Sequence, residues 1–226
     1  MRKNIILAIL LAITVIANAK QYKVGDIYNN NGIKGIVVIV TNNGEHGLIM
    51  SLDGEAAHWS EKNMNHEIKA FHEDDGMKNM LVVENYINEN GISWDNFPLF
   101  KWARDMGDGW YIPAKDETLT IMENINGGSL IYNEKNIKGF EKKIKKGKGR
   151  VLRNKGAIGD NSFLDIVTST EITDDMSYRI TMSESDESTL GRVAFGKFSS
   201  QKGTFQAIPV QKNIKLKSRS RAVHKF

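Results

Sequence analysis

The stretch Asp105-Met-Gly-Asp-Gly-Trp-Tyr-Ile-Pro-Ala-Lys-Asp-Glu117 (DMGDGWYIPAKDE) separates two readings of this chain. Two glycines straddle an aspartate ahead of a helix start, as in a phosphate-cradling loop. Such a loop sets its glycines directly before a helix N-terminus, with Lys and Ser/Thr at fixed offsets. Here the glycines follow one helical pattern, Trp110-Tyr-Ile112 intervenes as a brief strand, and the next helix opens on carboxylates. Pro113 suits a first helical position, and Asp116 and Glu117 suit the positive end of a helix dipole. The stretch reads as a helix–turn–strand–helix joint that serves the fold.

The flanks agree. Upstream, Phe97, Phe100 and Ala103 make the apolar face of a helix over Pro98–Met106, and Gly107 stands where a terminating glycine belongs. Met80, Val83 and Ile87 predict a further helix near Met77–Asn88. Downstream, Leu119, Met122 and Ile125 form the expected buried stripe of the next helix, which Gly127-Gly128 ends. Residues 22–52 read as β structure. Gly35-Ile-Val-Val-Ile-Val40 is a strand buried on both faces, Thr41-Asn-Asn-Gly44 a left-handed turn, and Gly47–Leu52 the returning strand. Residues 163–226 return to β, with Phe163–Thr170, Tyr178–Met182, Gly191–Phe198 and Phe205–Val210 as strands and Ser183–Thr189 as an acidic loop. Strands, then helices, then strands, without βαβ alternation, define an α+β fold of short mixed strands with two or three helices.

The first residues stand apart. Arg2 and Lys3 precede an apolar run from Ile5 to Ile16, and Ala17-Asn18-Ala19 is a small-x-small cleavage pattern. This reads as a secretory signal peptide over 1–19, leaving a single domain over 20–226. The run is too short for a span of ~20 residues. Of 31 Lys and Arg, two go with the signal, leaving 29 against 27 Asp and Glu, a net charge of +2. Overall basicity therefore argues for no partner. Cysteine is absent, so disulfides, thiol nucleophiles and thiolate metal sites are excluded and stability must come from the core. The expected location is periplasmic, cell-surface or secreted, with no membrane span after signal removal and no nucleic acid as partner.

Charge is uneven along the chain. From Lys135 to Lys155 ten basic residues face one acid, Glu141. Ile137, Phe140 and Ile144 lie on one helix face, so the lysines form its solvated side. The same side is a candidate polyanion patch, with Lys142, Lys143, Lys145 and Lys146 at its centre. For an exported chain, a sulfated or acidic glycan is the polyanion to expect.

In order and spacing, several motifs resemble bacterial C-type-lectin-like domains of the Lcl C-terminal type, related in fold to formylglycine-generating enzymes. They are Gly25-Asp26, Gly35-Ile-Val-Val38, Glu45-His-Gly-Leu-Ile-Met-Ser-Leu52 with Trp59, Gly109–Glu117 with Leu119 and Met122–Ile125, Thr168-Ser-Thr-Glu171, and Arg219-Ser-Arg-Ala-Val-His-Lys-Phe226. The chain departs from the family at Ile166 and Val167, where an aromatic pair is usual, and at Ser220, where an apolar residue is usual. Nothing in 172–215 aligns with the family. The resemblance implies an architecture in which Trp110 and Tyr111 pack between helices, and in which Glu171 or Glu117 pairs with Arg219 or Arg221. It implies no catalysis, because the enzymes' chemistry uses cysteines.

Other candidate chemistry is sparse. His58, His66 and His72 share a polar segment with Glu73, Asp74 and Asp75, but spacings of eight and six residues do not select a zinc site. Asp174, Asp175, Glu184, Asp186 and Glu187 offer oxygens for calcium without the sugar-binding triplets of calcium-dependent lectins. No nucleophile elbow is present, and no cofactor is called for. The sequence therefore points to a non-enzymatic, adhesin-like binding module for a glycan or protein, using its late loop-and-strand face. Tyr178, Arg179, Asp186, Arg192, Lys197 and Phe198 are its candidate contacts. The alternative is a structural subunit of a surface appendage or envelope assembly. A metal-dependent hydrolase comes third.

Overall fold

A computed structural model describes residues 20–64, 66–150, 166–184, 203–213 and 220–226. The fold is α+β, with four helices and two antiparallel sheets among the described residues. The expected signal segment, the 191–198 strand, and Asp186, Arg192, Lys197 and Phe198 lie outside the described residues.

The first sheet begins with β1 (Ile27–Asn30) and β2 (Ile33–Thr41). Asn31 and Gly32 join them with φ of 50° and 80°, the two-residue left-handed turn that matches strand twist. Ile36, Val37 and Val38 are fully buried, as the unbroken β-branched run predicts, but the run is not buried to its end: Ile39 is half-buried and Val40 exposed where the strand leaves the core. Asn42, Asn43 and Gly44 all have positive φ and turn the chain into β3 (His46–Met50). The last strand, β8 (Val223–Lys225), inserts between β3 and β4 (Trp110–Tyr111), giving the order β1-β2-β3-β8-β4. The second sheet is β5 (Ile166–Glu171), β6 (Met176–Glu184) and β7 (Gly203–Gln211).

The helices are α1 (Gly76–Asn90), α2 (Pro98–Asp105), α3 (Lys115–Ile125) and α4 (Glu134–Lys146). That is more than the two or three expected. Pro113 does not open α3: Ala114 is extended at the N-cap and the helix starts at Lys115. The buried stripe is Thr118, Ile121, Met122 and Ile125, with Leu119 only half-buried. Thr118 reaches the inside because its hydroxyl donates to Ala114 O at 2.8 Å. A hydroxyl satisfied within its own helix can be buried at little cost.

The opening stretch is the joint of the molecule. Glu117 accepts from Gly76 N and Ala114 N, both at 2.9 Å, and from Tyr111 Oη at 2.8 Å. One carboxylate therefore caps the N-termini of α1 and α3 together. Burial pushes the Glu117 carboxyl above its ordinary range, against the lowering effect of those donors.

Candidate functional site

Each end of α4 is pinned, and this sets where its lysines point. At the N-terminus, Asn133 Oδ1 accepts from Asn136 N at 3.2 Å. Asn126, only 2% exposed, ties the preceding loop together. Its Nδ2 donates to Ser129 O and Ile131 O, its Oδ1 accepts from Asn133 N at 2.9 Å, and its O accepts from Asn136 Nδ2 at 2.7 Å. At the C-terminus, Gly147 N, Lys148 N and Gly149 N return to Lys143 O, Lys145 O and Ile144 O at 3.0 Å each. Gly147 leaves no room for a side chain beside Ile27 and Leu52. Arg150 pairs with Asp53 at 3.1 Å and gives its carbonyl to Arg221 Nη2 at 2.8 Å.

Ile137, Phe140 and Ile144 are buried, so the opposite side faces solvent. Lys142, Lys143, Lys145 and Lys146 are all exposed, as the sequence predicts. Lys143 Nζ donates to Val24 O at 3.3 Å. Among the described residues, Lys142, Lys145 and Lys146 form no ion pair, whereas Lys138 takes up Glu134. Lysines in a last turn are favoured by the helix dipole. Lys142 and Lys146 stand four apart and repel each other by about 0.2–0.5 kcal/mol. The result is a rigidly mounted, uncompensated positive surface.

The late face is less assembled. Tyr178 and Arg179 are consecutive in β6 and half-exposed, so their side chains leave opposite faces of the sheet. Tyr178 lies under Lys115 Nζ, 5.2 Å from the ring centroid. Lys115 is itself paired with Glu73 at 2.5 Å. The two candidate contacts therefore do not share one surface.

Sequence reasoning missed the buried centre of the second sheet. Glu171 does not pair with Arg221: its carboxylate meets Lys212 Nζ, and both side chains are fully buried, while Arg219 lies outside the described residues. Lys212 also donates to His66 O and Asp174 O and lies 4.7 Å from the Trp59 ring centroid. Glu171 takes Ile68 N and Ala70 N as further donors. The pair straps the 58–70 segment to the sheet. Arg221 donates instead to Ser51 O at 2.8 Å. Nothing local signals Lys212, which sits in a polar Gln-Lys-Asn stretch 41 residues from its partner. His58 Nε2 is 2.8 Å from Glu61. Among the described residues, no three His, Asp or Glu side chains gather as metal ligands.

Fold and surface together define an α+β module with a basic helix on its exterior; among the described residues, no helix is long and apolar enough to cross a membrane. No protein-family model matches the chain, and no curated protein matches it. Among solved structures, a fimbrial protein from Bacteroides ovatus is similar at 15% identity and a TM-score of 0.49, over 91% of this chain and 48% of that one. The chain thus spans about half the length of that protein, and a likeness this distant carries no argument about this chain.

Proposed function

We propose that the chain is an exported, non-enzymatic binding module of C-type-lectin-like architecture that holds a polyanion, a sulfated or acidic glycan, on the exposed side of α4. The observation that carries this reading is the cluster of Lys142, Lys145 and Lys146, exposed, fixed at both ends of their helix, and without an ion-pair partner among the described residues, the one nearby acid, Glu141, being buried. A polyanion relieves their mutual repulsion and gains from it. The architectural part is supported by where the resembling motifs lie. The segments 45–52, 109–117 and 219–226 contribute β3, β4 and β8, three adjacent strands of one sheet.

The test is capture of residues 20–226 on an immobilised sulfated glycan across a salt series. Binding should fade as the Debye length falls from about 10 Å at 0.1 M to about 3 Å at 1 M. Lys142→Ala with Lys145→Ala and Lys146→Ala should weaken it about a hundredfold, at roughly 1 kcal/mol per lost charge contact and about 1.4 kcal/mol per tenfold, without lowering the Tm. Equal capture of the triple variant sinks the proposal.

A second reading is a subunit of a surface appendage. Phe205 N donates outward to Leu130 O, so by strand alternation Ala207 and Gln211 also turn their backbone groups away from β6. That edge could accept a strand from a neighbouring copy, although Pro209 removes one donor from it. A native chain that runs only as a monomer in envelope extracts counts against this reading.

A further inference from the structure

The chain carries four Asn-Gly steps, at 31–32, 43–44, 90–91 and 126–127. Asn-Gly is the step most prone to rearrange, because glycine offers no side chain to hinder its own nitrogen. The Gly nitrogen attacks the Asn side-chain Cγ, ammonia leaves, and a five-membered succinimide closes. Water then opens either C–N bond of the ring, giving Asp or isoaspartate. The reaction needs a mobile Asn side chain and a Gly nitrogen free to approach it.

The fold treats the four steps differently. Asn126 is buried, its amide nitrogen donates twice, and its oxygen accepts from Asn133 N. Asn90 Nδ2 donates to Tyr86 O at 2.9 Å, and Gly91 N is bound back to the end of α1. Gly44 is buried under the Tyr22 main chain, which donates to Gly44 O at 2.9 Å. At Asn31-Gly32, both residues are exposed at the tip of the β1–β2 hairpin, nothing lies within 4 Å of where a Gly32 side chain would begin, and the Asn31 amide has no hydrogen-bond partner among the described residues. The turn bond of a two-residue hairpin joins Asn30 and Ile33, which leaves the Gly32 nitrogen unused.

We propose that Asn31 is the site of spontaneous succinimide formation in the folded protein, and that the other three steps are protected by the fold. An isoaspartate at 31 adds a methylene to the main chain of a two-residue loop whose register depends on its length. The damage falls on β1, an edge strand.

The test is timed incubation of the folded protein at mildly alkaline pH, then tryptic digestion and mass spectrometry. Cleavage after Lys23 and Lys34 isolates residues 24–34. A gain of one mass unit localised to Asn31, at least about tenfold faster than at Asn43, Asn90 or Asn126, supports the proposal, a factor that corresponds to a barrier difference of about 1.4 kcal/mol. The same incubation in urea should bring the four rates together. Reaction led by any of the other three in the folded protein, or four equal rates there, overturns it. So does a ranking that survives in urea, because local sequence and not the fold would then set it.

Discussion

Lys148 closes α4 in a left-handed conformation, at φ 67°. That position favours glycine, because a side chain there crowds the following carbonyl by about 1–2 kcal/mol. Lys148→Gly should therefore stabilise the protein by roughly 1 kcal/mol, read as a shift of the urea midpoint at unchanged slope. A loss of stability would mean the lysine holds more than its own backbone. Glu117 gives a pH test. Its folded value is raised above the ordinary 4.5, so the folded state holds the proton more tightly than the unfolded chain. Its contribution is present below 4.5 and is lost as pH rises through the raised folded value. In Glu117→Gln that part of the slope should vanish when urea midpoints are compared across this window; parallel curves for the two proteins refute it. The buried Lys212–Glu171 pair behaves differently again. Removing one partner strands the other, so Lys212→Met should cost about 3–5 kcal/mol, and Lys212→Met with Glu171→Leu should cost less than the single change.

At the scale of elements, the legible parts are those whose signals are local. Asn31-Gly32 and Thr41–Gly44 specify their turns through residues that tolerate positive φ. Met80, Val83 and Ile87 specify the buried face of α1, and Ile137, Phe140 and Ile144 that of α4. The lysines of α4 are exposed for the same reason they are legible: the apolar stripe leaves them nowhere else to go. What the sequence hides depends on distant partners. Glu117 looks like a first-turn acid of α3, yet it also caps α1 from 41 residues away. Ser220 looks like a loss from the core, yet its hydroxyl bonds both Val167 N and Val167 O at 3.2 Å and clips the edge of β5. The site on α4 should be sensitive to its mounting. Asn133→Ala removes the side-chain cap and should cost about 1 kcal/mol, measured by urea unfolding. It should also weaken glycan capture less than the triple lysine change does, because the charges remain.

At the scale of the whole molecule, a chain without cysteine has to close its fold by non-covalent means, and β8 is the closure. Leu48, Ile49 and Met50 pair with Lys225, His224 and Val223 on one side, and Trp110 and Tyr111 pair with His224 and Val223 on the other. Three residues near the C-terminus therefore complete two ladders. Beyond them, the Phe226 ring sits 5.3 Å from Tyr22 and 5.0 Å from Tyr28, which themselves touch at 5.2 Å. The two contributions can be separated. Phe226→Ala keeps the ladders and removes one half-buried ring, and should cost about 1 kcal/mol. Ending the chain after Ala222 leaves β3 and β4 as unpaired edges facing each other across an empty place. That chain should lose its cooperative urea transition altogether, because β3 and β4 are then joined by no strand, and the long-range pairing that repays the loop-closure cost between them is gone. If the shortened chain still unfolds in one sharp transition, the β1-β2-β3 hairpins and the helices are a self-sufficient unit, and β8 is an addition to it instead of its keystone.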